Sequence, residues 1–288
     1  MITKSIIGIL ACIGVLVSGL LVGACNVGAW NLIFPSNHHE AVPPEVPEDL
    51  TQPAVLVFSK TNSFRHISGI KAGNAFFNTL AEEQGLGIFH TENSAVFNPE
   101  DLDGFSVVIF NNVTGDVLSN SQEMAFQQWL EAGGGWLGLH GAGDDSHSDW
   151  SWYVETLIGA AFIAHIMGPQ FQEATVLVDD TSHVAMQTLP PRWEHNEEWY
   201  SWDESVRDKG FNVLLSVDEG TYNPHYKFLF SRKDLRMGDH PVVWNRCVGT
   251  GRSLYSAMGH RGDAYDSDEY QKLLNGAMKW LLDETACK

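Results

Sequence analysis

Ala54-Val55-Leu56-Val57-Phe58-Ser59 is a short apolar run, rich in β-branched residues and without polar alternation. That pattern marks a strand covered on both faces. Working outward, Ser68 is placed to cap a helix whose apolar side carries Ile70, Phe76, Phe77 and Leu80, with Gly85 as its stop. Leu86 to Thr91 reads as a second strand and Ser106 to Asn111 as a third. Ser119 and Gln122 have the spacing of a capping box, opening a helix that carries Met124, Phe126, Trp129 and Leu130. Gly133 ends it, and Gly135 to Leu139 forms a fourth strand. Strand, helix, strand, strand, helix, strand with short connections predicts an α/β fold with a mostly parallel sheet wound by helices.

The second half is richer in strands: Ala174 to Val178, Phe211 to Val217, Tyr226 to Phe230 and Arg252 to Ala257. A last helix is expected from about Ser267 to Leu282. No internal repeat and no second domain are evident, so residues 54–285 read as one domain.

Before that domain, the chain is almost wholly apolar from Ile6 to Val22, and Lys4 is the one charged residue before Glu40. Residues 1–25 are therefore expected to be a signal peptide or a membrane anchor. Val22-Gly23-Ala24-Cys25 resembles a lipobox, with Cys25 lipidated after cleavage. An uncleaved helix running towards Phe34, with Trp30 at the interface, fits as well, as does plain secretion. Each reading puts the domain in the cell envelope or on another extracytoplasmic face. Residues 26–53 hold Pro43, Pro44, Pro47 and Pro53 among acidic residues, and are expected to be an extended, poorly packed spacer.

A net charge of −19 repels phosphate backbones and disfavours nucleic acid as a partner. Ten tryptophans and seven tyrosines fit either a sugar-facing surface or a large aromatic core. The four cysteines match no zinc or redox spacing; Cys247 and Cys287 could pair in an oxidising compartment or stay as two thiols.

In open parallel sheets, ligands bind beyond the carboxyl ends of the strands. His66 follows the first strand, His140 the fourth, and His260 a late one, so the three imidazoles are expected to converge on one cavity. Gly138-Leu139-His140-Gly141-Ala142 has the form of a tight turn that presents one side chain above a sheet. Hydrolases place Ser there and glutamine amidotransferases Cys; here it is His140, so glutamine hydrolysis is not expected. The Gly133-Gly134-Gly135 run is a helix stop, and without a Lys or a following helix no nucleotide cofactor is expected. Asp144 and Asp145 could orient an imidazole, bind a metal, bond sugar hydroxyls or cap the helix that begins near Asp149. Glu198 stands beside Trp199, Tyr200 and Trp202, either as a sugar subsite with a general base or metal ligand, or as an aromatic plug with a surface acid. His165 could face the pocket, and His183 reads as a turn residue. Neutral imidazoles with a carboxylate suit a divalent metal, zinc above all.

Six segments carry a family resemblance. They are Ser63-Phe64-Arg65-His66, Gly133 to His140, Gly159 to His165, Glu197-Glu198-Trp199-Tyr200, His240 to Trp244 and Gly249 to His260. In order and spacing they resemble the ThuA-like, trehalose-utilisation family over Ala54 to Leu282. Ser63 and Glu197 depart from the family's Gly and Asp, and Ile166 follows His165 where the family has Pro. The resemblance implies a flavodoxin-like, class I glutamine amidotransferase-like three-layer sandwich. It also implies action on a sugar or 3-keto-sugar. On this reading His140, Glu198 and Asp145 are the catalytic candidates. Arg65, Trp199 and Tyr200 would bind the sugar, and His66, His140 and His260 would hold the metal. The alternative is a non-catalytic carbohydrate-binding module on the envelope.

Overall fold

Every residue of β1 (Ala54–Phe58) is buried, because the strand lies inside a nine-stranded sheet and is covered on both faces. The structure is a computed structural model that describes residues 22–285 and 287. Most of the expected leader, residues 1–21, lies outside the described residues. Among the described residues no helix is long and apolar enough to cross a membrane.

The sheet continues with β2 (Gly87–Thr91), β3 (Val107–Asn111) and β4 (Gly135–Leu139), all parallel to β1, as expected from the sequence. A late strand, β13 (Gly251–Ser256), joins β4 in parallel. Beyond it the sheet is antiparallel: β12 (Pro241–Val248), β9 (Asn212–Val217), β6 (Gln172–Val178) and β7 (Arg192–Glu197). The protein is thus α/β with a mixed sheet, parallel in its N-terminal strands and antiparallel in its C-terminal half.

Helix α1 (Ile67–Gln84) links β1 to β2, and α2 (Asn120–Glu131) links β3 to β4. The two crossovers run in opposite directions along the strand order β2-β1-β3-β4. Right-handed crossovers then put α1 and α2 on opposite faces, which makes three layers. The last helix, α3 (Asp268–Leu281), lies with α1; Gln84 on one reaches Asn275 on the other at 3.3 Å. Ser267 caps α3 by accepting from the Tyr270 backbone. At α2, the Gln122 side chain accepts from Ser119 N at 2.8 Å, closing the expected capping box.

The sheet core is aromatic. Phe110 on β3 packs against Phe58, Phe126 and Trp136 with ring centroids 5.3–5.9 Å apart. Truncating a fully buried Phe at such a junction costs about 3–5 kcal/mol. Trp136, Trp199, Trp202 and Trp244 are all fully buried, so much of the aromatic content is core rather than sugar platform.

Three local readings need correction. Ser68 does not cap α1: the cap position is His66, and Ser68 falls in the first turn, because the loop after β1 must bring His66 over the sheet. The helix expected near Asp149 is one turn, Ser151–Tyr153, followed by a wide turn to Ile158. Tyr226 to Phe230 is not a sheet strand but part of a separate hairpin, β10 (His225–Phe228) with β11 (Ser231–Asp234). The strands β5 (Phe162–His165) and β8 (Tyr200–Trp202), which pair antiparallel, were not read from sequence; nor were β7, β11 and β12.

The stretch before the domain holds a helical turn at Trp30–Ile33 and runs without helix or strand only after it, through its prolines, and it is not a free spacer. Glu40 lies 2.5 Å from Lys60 Nζ and accepts from Ser94 N at 2.9 Å. Asn93 donates to Val42 O, and Gln122 to Glu40 O. Further back, Arg65 N donates to Gly28 O and Asn31 to Thr61 O. Finally, Cys247 and Cys287 are joined as a disulfide, which ties the C-terminus to β12.

Candidate active site at the strand ends

His140 opens the turn after β4 with φ of +42°, in the left-handed region that side chains usually avoid. The turn is held there by its neighbours. Tyr255 OH donates to His140 O at 2.7 Å, and the imidazole Nδ1 lies 2.7 Å from Ala257 O. A carbonyl only accepts, so Nδ1 carries the proton and Nε2 keeps its lone pair in the neutral ring.

His66 arrives at the N-terminus of α1 and is buried. Thr114, just past β3, fixes its loop by donating to Phe64 O at 2.7 Å. Gly141 must be glycine for the two turns to meet, since a Cβ there would lie 3.0 Å from the His66 ring. His260 follows β13 through Gly259, whose φ is +111° and whose N–H donates to Glu197 at 2.7 Å. Glu198 comes from the other half of the sheet, in the link between β7 and β8.

These four side chains converge. One ligand atom from each of His66, His140, Glu198 and His260 lies within 4.8 Å of all the others. His260 Nδ1 is 2.9 Å from His140 Nε2 and 3.0 Å from Glu198 Oε2, and His140 Nε2 is 3.3 Å from the same oxygen. Ligands of one tetrahedral zinc stand about 3.4 Å apart, given bonds of about 2.1 Å. His66 Nδ1 is buried with no hydrogen-bond partner. Its burial and the neighbouring imidazoles His140 and His260 hold its pKa well below the usual histidine range, so the ring is neutral. The α1 N-terminus acts in the same direction. Burial pushes the Glu198 carboxyl up, but the surrounding imidazoles of His140, His260 and His165 outweigh it and hold its pKa well below the usual carboxylate range. Three imidazoles, one of them with an orphaned buried nitrogen, and a carboxylate fit a divalent cation of the zinc type.

His66, Glu198 and His260 line a cavity of about 460 Å³, with His140 fully buried behind them. That size suits a small molecule. Tyr200 packs against His140 with ring centroids 4.2 Å apart and the rings tilted by 42°, and burial together with Glu198 keeps its phenol protonated. His165, on β5, faces the cavity, with Nδ1 3.1 Å from Glu198 Oε1 and 2.9 Å from Ile166 O. Asp144 accepts from Ser146, capping the next turn, and its carboxyl also lines the cavity. Burial pushes that carboxyl up to about 7.

Other candidates fall elsewhere. Asp145 is exposed at the cavity rim, apart from the imidazole cluster. Arg65 is turned to a surface ion pair with Glu92 at 2.6 Å. Trp199 is buried and donates to Gln172 O, one position out of phase with Glu198 and Tyr200. His183 does cap a turn, at Ala185 N. His147 is buried against Val113 O. Sequence reasoning missed the supporting shell. Glu197 accepts from Glu198 N as well as from Gly259, and His240 reaches Tyr200 O at 2.7 Å. Both stood in the motifs, but only as neighbours of other residues.

A family model described as "ThuA: Trehalose utilisation" matches residues 54–281. A ThuA-like protein from Bacteroides uniformis ATCC 8492 superposes with a TM-score of 0.70 at 26% identity, covering 85% of this chain and 97% of that one. A second, from Parabacteroides merdae ATCC 43184, gives 0.59 at 14% identity, over 82% and 91% of the two chains. At that identity the likeness shows the fold alone. No curated protein matches.

Proposed function

The chain belongs to the ThuA, trehalose-utilisation, family, and on that premise we propose that it is an enzyme acting on a sugar or 3-keto-sugar in the histidine cavity. The observation that carries this reading is the convergence of His66, His140, Glu198 and His260, three of which line one cavity. The four would hold a divalent metal, zinc by preference, which when bound would polarise a substrate carbonyl.

The chain's own residues account for the proton transfer. His165 stands outside the four-residue group. Its Nδ1 faces Glu198 and the Ile166 carbonyl, both acceptors, so Nδ1 holds the proton and Nε2 is the free base. Glu198 orients this ring and stabilises the imidazolium formed when it takes a proton from the carbon beside a ketone. Tyr200, kept as a phenol, can donate to a substrate oxygen. Asp144, with its carboxyl near neutrality, can return a proton. Extracytoplasmic placement belongs to the same reading, and the Cys247–Cys287 disulfide and the apolar leader support it.

The test is solvent exchange. The full chain is supplied with zinc and a 3-keto-glucoside in deuterated water and followed by NMR. Deuterium incorporation next to the ketone, lost in His165→Gln and Glu198→Gln, is expected. Sugar binding without exchange or turnover would overturn the enzyme reading and leave the carbohydrate-binding one.

A further inference from the structure

Phe228, Leu229 and Phe230 form the tip of the β10–β11 hairpin, and they stand 50%, 74% and fully exposed to solvent. Three consecutive large apolar side chains in water cost free energy unless something covers them. The hairpin is also basic, in a protein of net charge −19. Lys227 pairs with Arg232 across the strands, and Tyr226 with Lys233. Among the described residues none of these three cations has a carboxylate partner; Arg232 bonds only the backbone carbonyls of Leu229 and Ser231.

The hairpin is rooted at the cavity. Lys227 N donates to the carbonyl of Met167, a cavity-wall residue, at 2.7 Å. A second wall of the cavity comes from the segment after the leader, through Val27 and Leu32. That segment exposes Trp30, Leu32, Ile33 and Phe34. The apolar run from Ile6 ends at Val22, only 5 residues before Val27. Five residues span at most about 18 Å. Whatever takes up the run therefore lies close to the cavity mouth.

We propose that the Phe228-Leu229-Phe230 tip docks into an anionic lipid bilayer, the apolar side chains entering the interface while Lys227, Arg232 and Lys233 meet acidic headgroups. The docked hairpin and the tether at Val27 then hold the cavity mouth against the membrane. This rests on the reading of residues 1–25 as leading the chain to a membrane, and it adds a second contact far from them in sequence.

The experiment uses the full chain with vesicles of phosphatidylglycerol and phosphatidylethanolamine, and separately with phosphatidylcholine alone. Flotation reports the tether, and amide hydrogen exchange of residues 225–234 reports the hairpin. Exchange of the hairpin about tenfold slower on the anionic vesicles than on phosphatidylcholine is expected. That protection should vanish in Phe228→Ser/Phe230→Ser and in Lys227→Glu/Arg232→Glu/Lys233→Glu, all at exposed positions. Flotation with an unprotected hairpin would overturn the docking and leave the tether. Failure to float would overturn both. Protection that ignores lipid charge and rises with protein concentration would also overturn it, pointing to a second copy as the occupant.

Discussion

The ring of His140 is fixed by Ala257: its Nδ1 lies 2.7 Å from that carbonyl, and its Nε2 therefore turns a lone pair to His260 and Glu198. The purified full chain is expected to carry about one equivalent of zinc or a similar divalent ion per molecule, measured by mass spectrometry. His140→Ala/His260→Ala, folded by circular dichroism, should carry none. Absence of metal from the parent after incubation with excess ions would sink the metal site and leave histidine acid–base chemistry.

The backbone at His140 gives a second expectation. Its φ of +42° is costly for any residue with a Cβ and nearly free for glycine. His140→Gly should be more stable to urea than His140→Ala by about 1 kcal/mol. Equal midpoints would mean that the turn relaxes when the imidazole is gone.

His147 sits apart from the cavity floor and gives a clean pH signal. Burial lowers its pKa from the ordinary 6.5 to about 4. The unfolded chain then binds a proton that the folded chain refuses, so stability is full above pH 6.5 and falls as pH drops towards 4. At pH 5 the loss from this one group is about 2 kcal/mol. Urea unfolding at pH 7.5 and pH 5 should show His147→Gln losing less stability on acidification than the parent, by roughly that amount. Parallel losses in the two proteins would exclude His147 as the source.

The stretch before the domain is held by Glu40 and Lys60, 2.5 Å apart. Lys60→Met should release it, so that proteolysis between Val42 and Asp49 speeds up while the thermal midpoint of the domain shifts little. Unchanged cleavage would mean that the bonds from Asn93 and Gln122 hold the stretch alone.

A fold built on parallel strands is readable because burial on both faces leaves a local mark. Ala54–Phe58, Val107 to Phe110 and Gly135–Leu139 are apolar throughout and lie between turn residues. The antiparallel half leaves a weaker one. Of β7, only Trp193, His195 and Glu197 are buried, and two of those are polar, so no hydrophobic period announces the strand. The tip at Phe230 misled in the other direction, since an apolar run reads as buried whether or not anything covers it.

For the site, residue order alone determined that His66, His140 and His260 follow strands that end at one edge of the sheet, because chain direction in a parallel sheet puts every such loop on the same side. Tertiary structure decided the rest. Glu198 joins them from the far half of the chain, His165 enters from β5, and Trp199 turns into the core while Arg65 turns to Glu92. These outcomes depend on strand pairing and on the side-chain alternation it imposes, where a shift of one residue exchanges the faces. Contacts between residues so far apart in sequence leave no trace in local composition.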